Sequence, residues 1–202
     1  DMGLGKTIQV LALLESRRVN LAEGNGAKHH PSLVVVPRSL VFNWINEAKR
    51  FTPKMKVLDH SGVERARSVD VFLNYDLVIT TYGTLRRDIA MLKDFRFDYV
   101  ILDESQAVKN SNTASAKSVR LLSADHRLAM SGTPVENHLG ELWSLFDFLN
   151  PGMLGRPGAS NGNGFLKMIG NGSASAIEAR QLVAQAVRPF ILRRTKNQVA
   201  KE

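Results

Sequence analysis

Short runs of β-branched and other apolar residues alternate along the chain with longer stretches in which apolar residues recur at helical spacing. The short runs predict buried strands, and the longer stretches predict amphipathic helices. The strand candidates are residues 33–37, 56–60, 76–82, 98–104 and 126–132. The helix candidates are residues 8–17, 39–51, 63–74, 84–92, 113–122 and 139–149.

The order of these elements predicts the fold class. Strands that alternate with helices are typical of βαβ units, in which a mostly parallel sheet is sandwiched by helices in a three-layer α/β fold. Such sheets bind ligands outside the carboxyl ends of their strands. Trp44 and Trp143 lie on the apolar faces of their helices, where we expect core packing.

A change in composition marks the last quarter of the chain. Residues 151–175 are dominated by Gly, Asn, Ser and Pro, which is typical of a loop or a partly ordered excursion. A helix is predicted through about 176–187. We therefore divide the chain into a main lobe, residues 1–151, and an excursion with a return segment, residues 152–202.

Charge and cysteine content narrow the classes of partner. The formal net charge is +8 and the pI is about 10, which favours a polyanion such as nucleic acid, although a solvated basic surface gives the same balance. The absence of cysteine excludes disulfides and thiolate zinc sites. No apolar run approaches the roughly 20 residues of a membrane span, so no membrane partner is expected.

A candidate phosphate loop opens the chain. Residues 3–7, GLGKT, match the end of the Walker A pattern, in which glycines let backbone N–H groups turn towards phosphate and the next helix offers its dipole. Lys6 would reach the β and γ phosphates of ATP, and the Thr7 hydroxyl would ligate Mg²⁺. The alternative is a simple glycine turn before a helix. The candidate nucleotide-binding residues are Gly3, Leu4, Gly5, Lys6, Thr7 and Ile8.

Acidic and hydroxyl side chains follow two other strand candidates. Asp103 and Glu104 come directly after YVIL, as in a Walker B motif, where Asp103 would hold Mg²⁺ and Glu104 would orient or deprotonate the attacking water. Strand ends are also acidic simply because they are solvated. The segment SGTP, residues 131–134, could contact the γ phosphate, although Gly and Pro mark ordinary turns as well.

Six blocks carry a family resemblance. They are, in chain order, MGLGKTIQ, LVVVPRSLVFNW, ITTYGTLRRD, LDESQAVKN, SGTPVENHLGELWSLFDFLNPGMLG and PFILRRTKNQV. Together they resemble the Swi/Snf family of helicase-like, DNA-dependent ATPases in helicase superfamily two, with the poorest match at residues 152–176. The resemblance implies a RecA-like P-loop fold, with ATP and Mg²⁺ bound between two lobes. This chain looks like the first lobe, so the second lobe of the full-length chain would be its partner.

The resemblance also implies roles for individual residues. The nucleotide and metal positions are matched by Lys6, Thr7 and Asp103, and the water-activating acid by Glu104. The segments that contact the DNA backbone are matched by Arg38, Ser39, Thr81, Tyr82, Lys109 and Asn110. The segments that couple hydrolysis to motion are matched by Gln106, Ser131, Gly132 and Thr133. Aromatic residues are only 7% of the chain, which favours sequence-independent contact with duplex DNA over base stacking on a single strand.

The leading hypothesis is an ATP-driven translocase on double-stranded DNA that remodels chromatin or other protein–DNA complexes, with DNA-bound proteins as further partners. One alternative is a catalytically silent DNA- or protein-binding module of the same fold. Another is a strand-separating helicase of superfamily two. Each would be intracellular, in the nucleoid or cytoplasm of a bacterium or the nucleus of a eukaryote.

The chain begins inside the candidate phosphate loop. We therefore expect a piece of a longer protein, with poor nucleotide affinity and negligible turnover in isolation.

Overall fold

A computed structural model describes residues 5–23, 30–132, 139–154, 181 and 184–193. The α-helices are α1 (Lys6–Glu23), α2 (Val41–Phe51), α3 (Tyr82–Leu92), α4 (Ala114–Leu121) and α5 (Leu139–Leu149). The strands are β1 (Ser32–Val36), β2 (Val57–Asp59), β3 (Leu77–Thr81), β4 (Arg96–Leu102) and β5 (Ser123–Ala129). Short 3₁₀ helices occupy Arg38–Leu40, Val69–Asn74, Ser105–Val108 and Arg188–Phe190. Of the described helices, none is long and apolar enough to cross a bilayer.

The five strands form one parallel sheet in the order β2-β3-β1-β4-β5. At its centre, β1 pairs Val36 with Thr81 of β3 on one side and Val35 with Leu102 of β4 on the other. Beyond β4, Leu102 pairs with Ala129 of β5. Because all the strands run in one direction, the segments that follow β1, β3, β4 and β5 emerge at the same edge of the sheet.

Helices cover both faces of the sheet, which confirms the three-layer α/β prediction. On one face, α1 and α2 pack against alternate residues of the central strands, with Trp44 among the largest buried side chains. On the other face, α3, α4 and α5 contribute residues such as Leu85, Val119 and Phe148 to a second core cluster. The central strands are buried on both faces, and their near-continuous apolar runs meet that requirement.

The direction of α1 is fixed by its contacts with β4 and its neighbours. Arg17 donates two hydrogen bonds to Asp98, at 2.8 and 2.6 Å, near the start of β4. Lys6 begins the helix about 16 Å before Arg17, and Asp103 follows Asp98 by about the same distance along the strand direction. Val10 belongs to the same core cluster as residues near the carboxyl ends of β1 and β5. The first turn of α1 therefore lies at the carboxyl edge of the sheet, on the side where Asp103 emerges.

Several predicted elements differ from the structure, and the helix predicted at 8–17 spans Lys6–Glu23. The strand predicted at 126–132 is β5, which starts and ends three residues earlier, because its first half is polar and gives no apolar signal; it is the outermost strand of the sheet that the described residues form. The strand predicted at 98–104 is β4, which ends at Leu102 because the chain turns after Asp103. Within the predicted helix 63–74, the structure has a 3₁₀ helix over Val69–Asn74.

The predicted domain boundary falls next to residues outside the description. Residues 155–180 are not described, and only 181 and 184–187 of the helix predicted through 176–187 are, all of them helical. The division at 151 and 152 therefore stays a prediction.

Phe97 provides a test of the packing. It is fully buried in β4 and its ring contacts that of Phe95 at 4.8 Å between centroids. We expect Phe97→Ala to lower the free energy of unfolding by about 3–5 kcal/mol, because a large cavity is left in a core that can collapse only partly. In urea unfolding, the matched control Phe42→Ala, at a ring that is 71% exposed, should change it by less than about 0.5 kcal/mol. Equal effects of the two variants would contradict the packing described.

Candidate functional site

The first turn of α1 presents a site for an anion. Gly5 has φ of 70°, a left-handed conformation that favours glycine, and its carbonyl accepts the first helical hydrogen bond from Gln9 N–H at 3.1 Å. The N–H groups of the first turn have no intrahelical partner, and no acidic side chain occupies that turn. The Lys6 ammonium is buried and has no hydrogen-bond partner among the residues that the structure describes. The start of this helix therefore carries the charge of the Lys6 ammonium and the partial positive charge of the helix dipole.

Asp103, the first residue after β4, is held at each of its polar atoms. Its carboxylate accepts hydrogen bonds from the Trp44 indole Nε1–H at 2.9 Å and from the backbone N–H of Glu104 at 2.9 Å. Its own N–H donates to the carbonyl of Val35, and its carbonyl accepts from the Tyr82 hydroxyl at 2.8 Å. The residue is 6% exposed, and within the described part of the chain it forms no ion pair. The result is an oriented carboxylate with which no cation of the described residues forms an ion pair.

Glu104 turns the chain away from the sheet. It has φ of 47°, and it is the one non-glycine residue with a left-handed backbone in the described ranges. Such a conformation costs on the order of 1 kcal/mol or more, and these conformations cluster at functional sites. Gln106 donates to the Glu104 carboxylate at 2.7 Å, and Ser131 donates to the Gln106 side-chain oxygen at 3.2 Å. A chain of hydrogen bonds therefore joins the acidic turn to the segment after β5.

These groups fit a magnesium–nucleotide complex. The buried ammonium of Lys6 and the buried carboxylate of Asp103 are opposite charges that lie at one edge of the sheet, each without an ion-pair partner among the described residues. A buried charge without a partner is costly unless a ligand satisfies it. A phosphate group would satisfy the first charge and a hard cation bound by oxygen ligands the second.

Two of the segments predicted to contact DNA lie at the same edge. Arg38 and Ser39 follow β1 after Pro37 and are exposed on a 3₁₀ turn. Thr81 is buried and caps α3, accepting a hydrogen bond from the N–H of Thr84 at 3.1 Å. Tyr82 is buried too, and burial, followed by the charges of Asp103 and Glu104, raises its pKa above the usual value. The hydroxyls of Thr81 and Tyr82 are therefore engaged inside the protein, and any phosphate contact by these two residues falls to their backbone N–H groups.

The third predicted DNA segment lies after the acidic turn. Lys109 is 59% exposed and its ammonium lies 3.3 Å from the Glu141 carboxylate of α5. Exposed pairs of this kind contribute at most about 1 kcal/mol, so the lysine is free to exchange this partner for a phosphate. Asn110 uses its side-chain oxygen to accept from the N–H of Asn112 at 2.9 Å. Contact of these residues with DNA stays a prediction.

The structure reaches only part of the predicted site. Gly5, Lys6, Thr7 and Ile8 are described, as are Gln106, Ser131 and Gly132. Gly3, Leu4 and Thr133 lie outside the described residues.

Trp44 is a contributor that the sequence interpretation missed. The helical pattern predicted core packing, and its side chain is indeed buried, with 1% of its surface exposed. The same side chain donates to a carboxylate 59 positions further along the chain. A buried indole N–H requires a hydrogen-bond acceptor, so the sequence could have indicated that Trp44 bonds to a polar group. No pattern in the sequence identifies that group as Asp103.

A second missed cluster supports the loop after β2. His60 is fully buried and contacts the Asp88 carboxylate of α3 at 3.1 Å, and Arg65 donates to the same carboxylate at 2.7 Å. The carbonyl of His60 accepts a hydrogen bond from the Thr80 hydroxyl, and the carbonyl of Ser61 accepts one from the Thr84 hydroxyl. The cluster therefore ties this loop to the start of α3, beside the predicted DNA segment.

A parallel sheet with a glycine-led helix start and an acidic turn at one edge is the architecture of a RecA-like domain. A family model described as the SNF2-related domain matches residues 1–202, and the chain belongs to the SNF2 family. The family resemblance of the sequence is thereby confirmed, and the RecA-like fold is confirmed by the likeness to a solved ATPase core given next.

Named relatives and a solved structure agree with this assignment. The chain is 37% identical over 215 residues to the TATA-binding protein-associated factor BTAF1 of Arabidopsis thaliana, covering 98% of this chain and 10% of that protein. It is 38% identical over 208 residues to an uncharacterized ATP-dependent helicase of Mycoplasma pneumoniae, covering 100% of this chain and 18% of that protein. The SWI2/SNF2 ATPase core of Sulfolobus solfataricus in complex with dsDNA superposes with a TM-score of 0.81 and 36% identity, over 97% of this chain and 39% of that one. The chain thus spans a minor part of each.

The cluster around His60 predicts a pH dependence of stability. Burial lowers the pKa of His60 below its ordinary value, more than Asp88 raises it, and the hydrogen bond from Arg65 holds the pKa of Asp88 below its usual range. As pH falls through about 6.5, the unfolded chain gains a proton at His60 that the folded chain resists. We expect this site to lower the free energy of unfolding as pH falls from 7 to 5.5.

The variant His60→Gln keeps an N–H donor for Asp88 but does not titrate, so its stability should fall less over this interval. Urea unfolding at several pH values measures the difference. An unchanged pH slope in His60→Gln would show that His60 does not carry the effect. Asp88 contributes to stability in its ionised form, and this contribution is lost at lower pH than that of His60, because its pKa lies below the usual range.

Proposed function

We propose that this chain is the first motor lobe of an ATP-dependent translocase on double-stranded DNA. The observation that carries the proposal is a pair of buried charges, Lys6 and Asp103, at the ligand-binding edge of a parallel sheet, neither with an ion-pair partner among the residues that the structure describes. Its membership of the SNF2 family and its likeness to an ATPase core in complex with dsDNA support the same activity.

The residues divide the work of nucleotide binding between two elements. The Lys6 ammonium and the first-turn N–H groups of α1 hold the phosphates, and the Thr7 hydroxyl and Asp103 carboxylate hold Mg²⁺. The bound metal ion supplies neutralisation of the charge that develops on the phosphates. Glu104 accepts a proton from, or orients, the attacking water, and its hydrogen bond from Gln106 fixes the carboxylate for that task.

The residues that we propose to contact DNA lie at or after the ends of strands at the same edge of the sheet. Arg38, Ser39, Thr81, Tyr82, Lys109 and Asn110 approach the backbone of duplex DNA through cations, hydroxyls and backbone N–H groups. Contacts of these kinds go to phosphates and carry no base information, so binding is sequence-independent and weakens with salt. The segments that couple ATP hydrolysis to movement of the second lobe of the full-length chain contain Gln106, Ser131, Gly132 and Thr133. We place this motor inside the cell.

Removal of the Lys6 ammonium tests the proposal. In the full-length protein, Lys6→Ala should lower DNA-stimulated ATP hydrolysis by at least about 100-fold, because a preorganised charge on the transferring phosphate is lost. Lys93→Ala, at an exposed lysine that follows α3 away from the site, is the control and should leave the rate unchanged.

Preserved turnover in Lys6→Ala would contradict the motor assignment. Two further assays on the unsubstituted protein separate the remaining cases. If a titration shows that Mg-ADP binds but DNA does not stimulate hydrolysis, a catalytically silent module is favoured. If a strand-displacement assay shows separated strands, a helicase is favoured.

A further inference from the structure

The hydrogen bond between Trp44 and Asp103 joins a helix to the candidate metal carboxylate. The bond is 2.9 Å long, and both residues are buried, so water does not compete for the carboxylate oxygen on that side. A hydrogen bond to an ionised acceptor is about twice as strong as one between neutral groups, and a low dielectric strengthens it further.

The chemistry of the donor suits this place. An indole N–H donates one hydrogen bond and cannot accept one, so it orients a carboxylate without becoming a ligand itself. It carries no charge, so it leaves the negative charge of Asp103 available to a cation. An arginine or lysine at this position would instead pair with the carboxylate and compete with the metal ion.

The backbone of Asp103 is held independently. The Tyr82 hydroxyl donates to its carbonyl at 2.8 Å, and its N–H donates to Val35 in β1 at 2.9 Å. With the backbone fixed in this way, the Trp44 bond and the bond from Glu104 N–H decide where the two carboxylate oxygens point.

We propose that Trp44 is a positioning residue that presents the Asp103 carboxylate to Mg²⁺. This inference rests on the proposed role of Asp103 as a metal-binding residue. Removal of a hydrogen-bond partner of a metal ligand lowers metal affinity about 10- to 100-fold in known sites. The Trp44 indole N–H bonds to Asp103 and not to the groups of α1 that hold the phosphates, so the change removes no hydrogen bond to the phosphate side of the site.

The test is the dependence of nucleotide binding on Mg²⁺ in the full-length protein, followed by the anisotropy of a fluorescent, non-hydrolysable ATP analogue. In Trp44→Phe, the Mg²⁺ concentration at half-saturation should rise about 10-fold or more. The affinity measured in EDTA should stay within about two-fold of the unsubstituted protein, a split that general loss of structure would not produce.

Matched variants separate the possible outcomes. Trp143→Phe, at the other buried tryptophan, should leave the Mg²⁺ requirement unchanged. Asp103→Asn should lose most of the Mg²⁺-dependent gain in affinity. A normal Mg²⁺ requirement in Trp44→Phe beside a defective Asp103→Asn would overturn the role of Trp44 alone. A normal requirement in Asp103→Asn would overturn the metal role proposed for Asp103, and this inference with it.

A cavity left by the smaller phenylalanine ring is a separate concern. If thermal unfolding shows that Trp44→Phe does not fold, 3-benzothienylalanine at position 44 keeps the bicyclic shape and replaces the N–H with sulfur. The same rise in the Mg²⁺ requirement is expected there, and a normal requirement would refute the proposal.

Discussion

The parallel pairing of β1 with β3 and β4 brings separately encoded segments to one edge of the sheet. In register, Val36 lies beside Thr81, and Val35 lies beside Leu102, so the chain leaves all three strands at nearly one level. Since α1 packs with its first turn at that level, the start of α1 and the acidic end of β4 lie at the same edge of the sheet. A shift of one strand by a single residue would reverse the sides on which its residues lie and disperse these groups.

Asp103 is where the elements at this edge meet. It receives hydrogen bonds from α2 through Trp44 and from α3 through Tyr82, and it donates to β1. The helices that contribute these donors begin at the two segments predicted to contact DNA, one just after Arg38 and Ser39 and the other just after Thr81. The arrangement therefore bonds Asp103 to both helices near their first residues, to α2 through its carboxylate and to α3 through its backbone carbonyl.

Much of this architecture could be predicted from sequence because apolar periodicity reports burial. The runs behind β1, β3 and β4 are apolar since these strands are buried on both faces. The same signal misplaced β5, whose exposed, polar first half is set by pairing with β4 rather than by burial. The candidate acids and Lys6 could be found because their chemistry is local. The partners Trp44, His60 and Asp88 could not, because each contact joins residues that are distant along the chain, and only tertiary packing brings them together.

The central claim is that α1 and the end of β4 share one magnesium–nucleotide complex. A double-mutant cycle with Thr7→Val and Asp103→Asn tests it most directly, with the Mg²⁺-dependent part of the nucleotide-binding free energy as the measured quantity. If the hydroxyl and the carboxylate hold the same ion, the double variant should lose clearly less than the sum of the two single losses. Losses that add within about 0.5 kcal/mol would show that the two residues act at separate sites and would contradict the account.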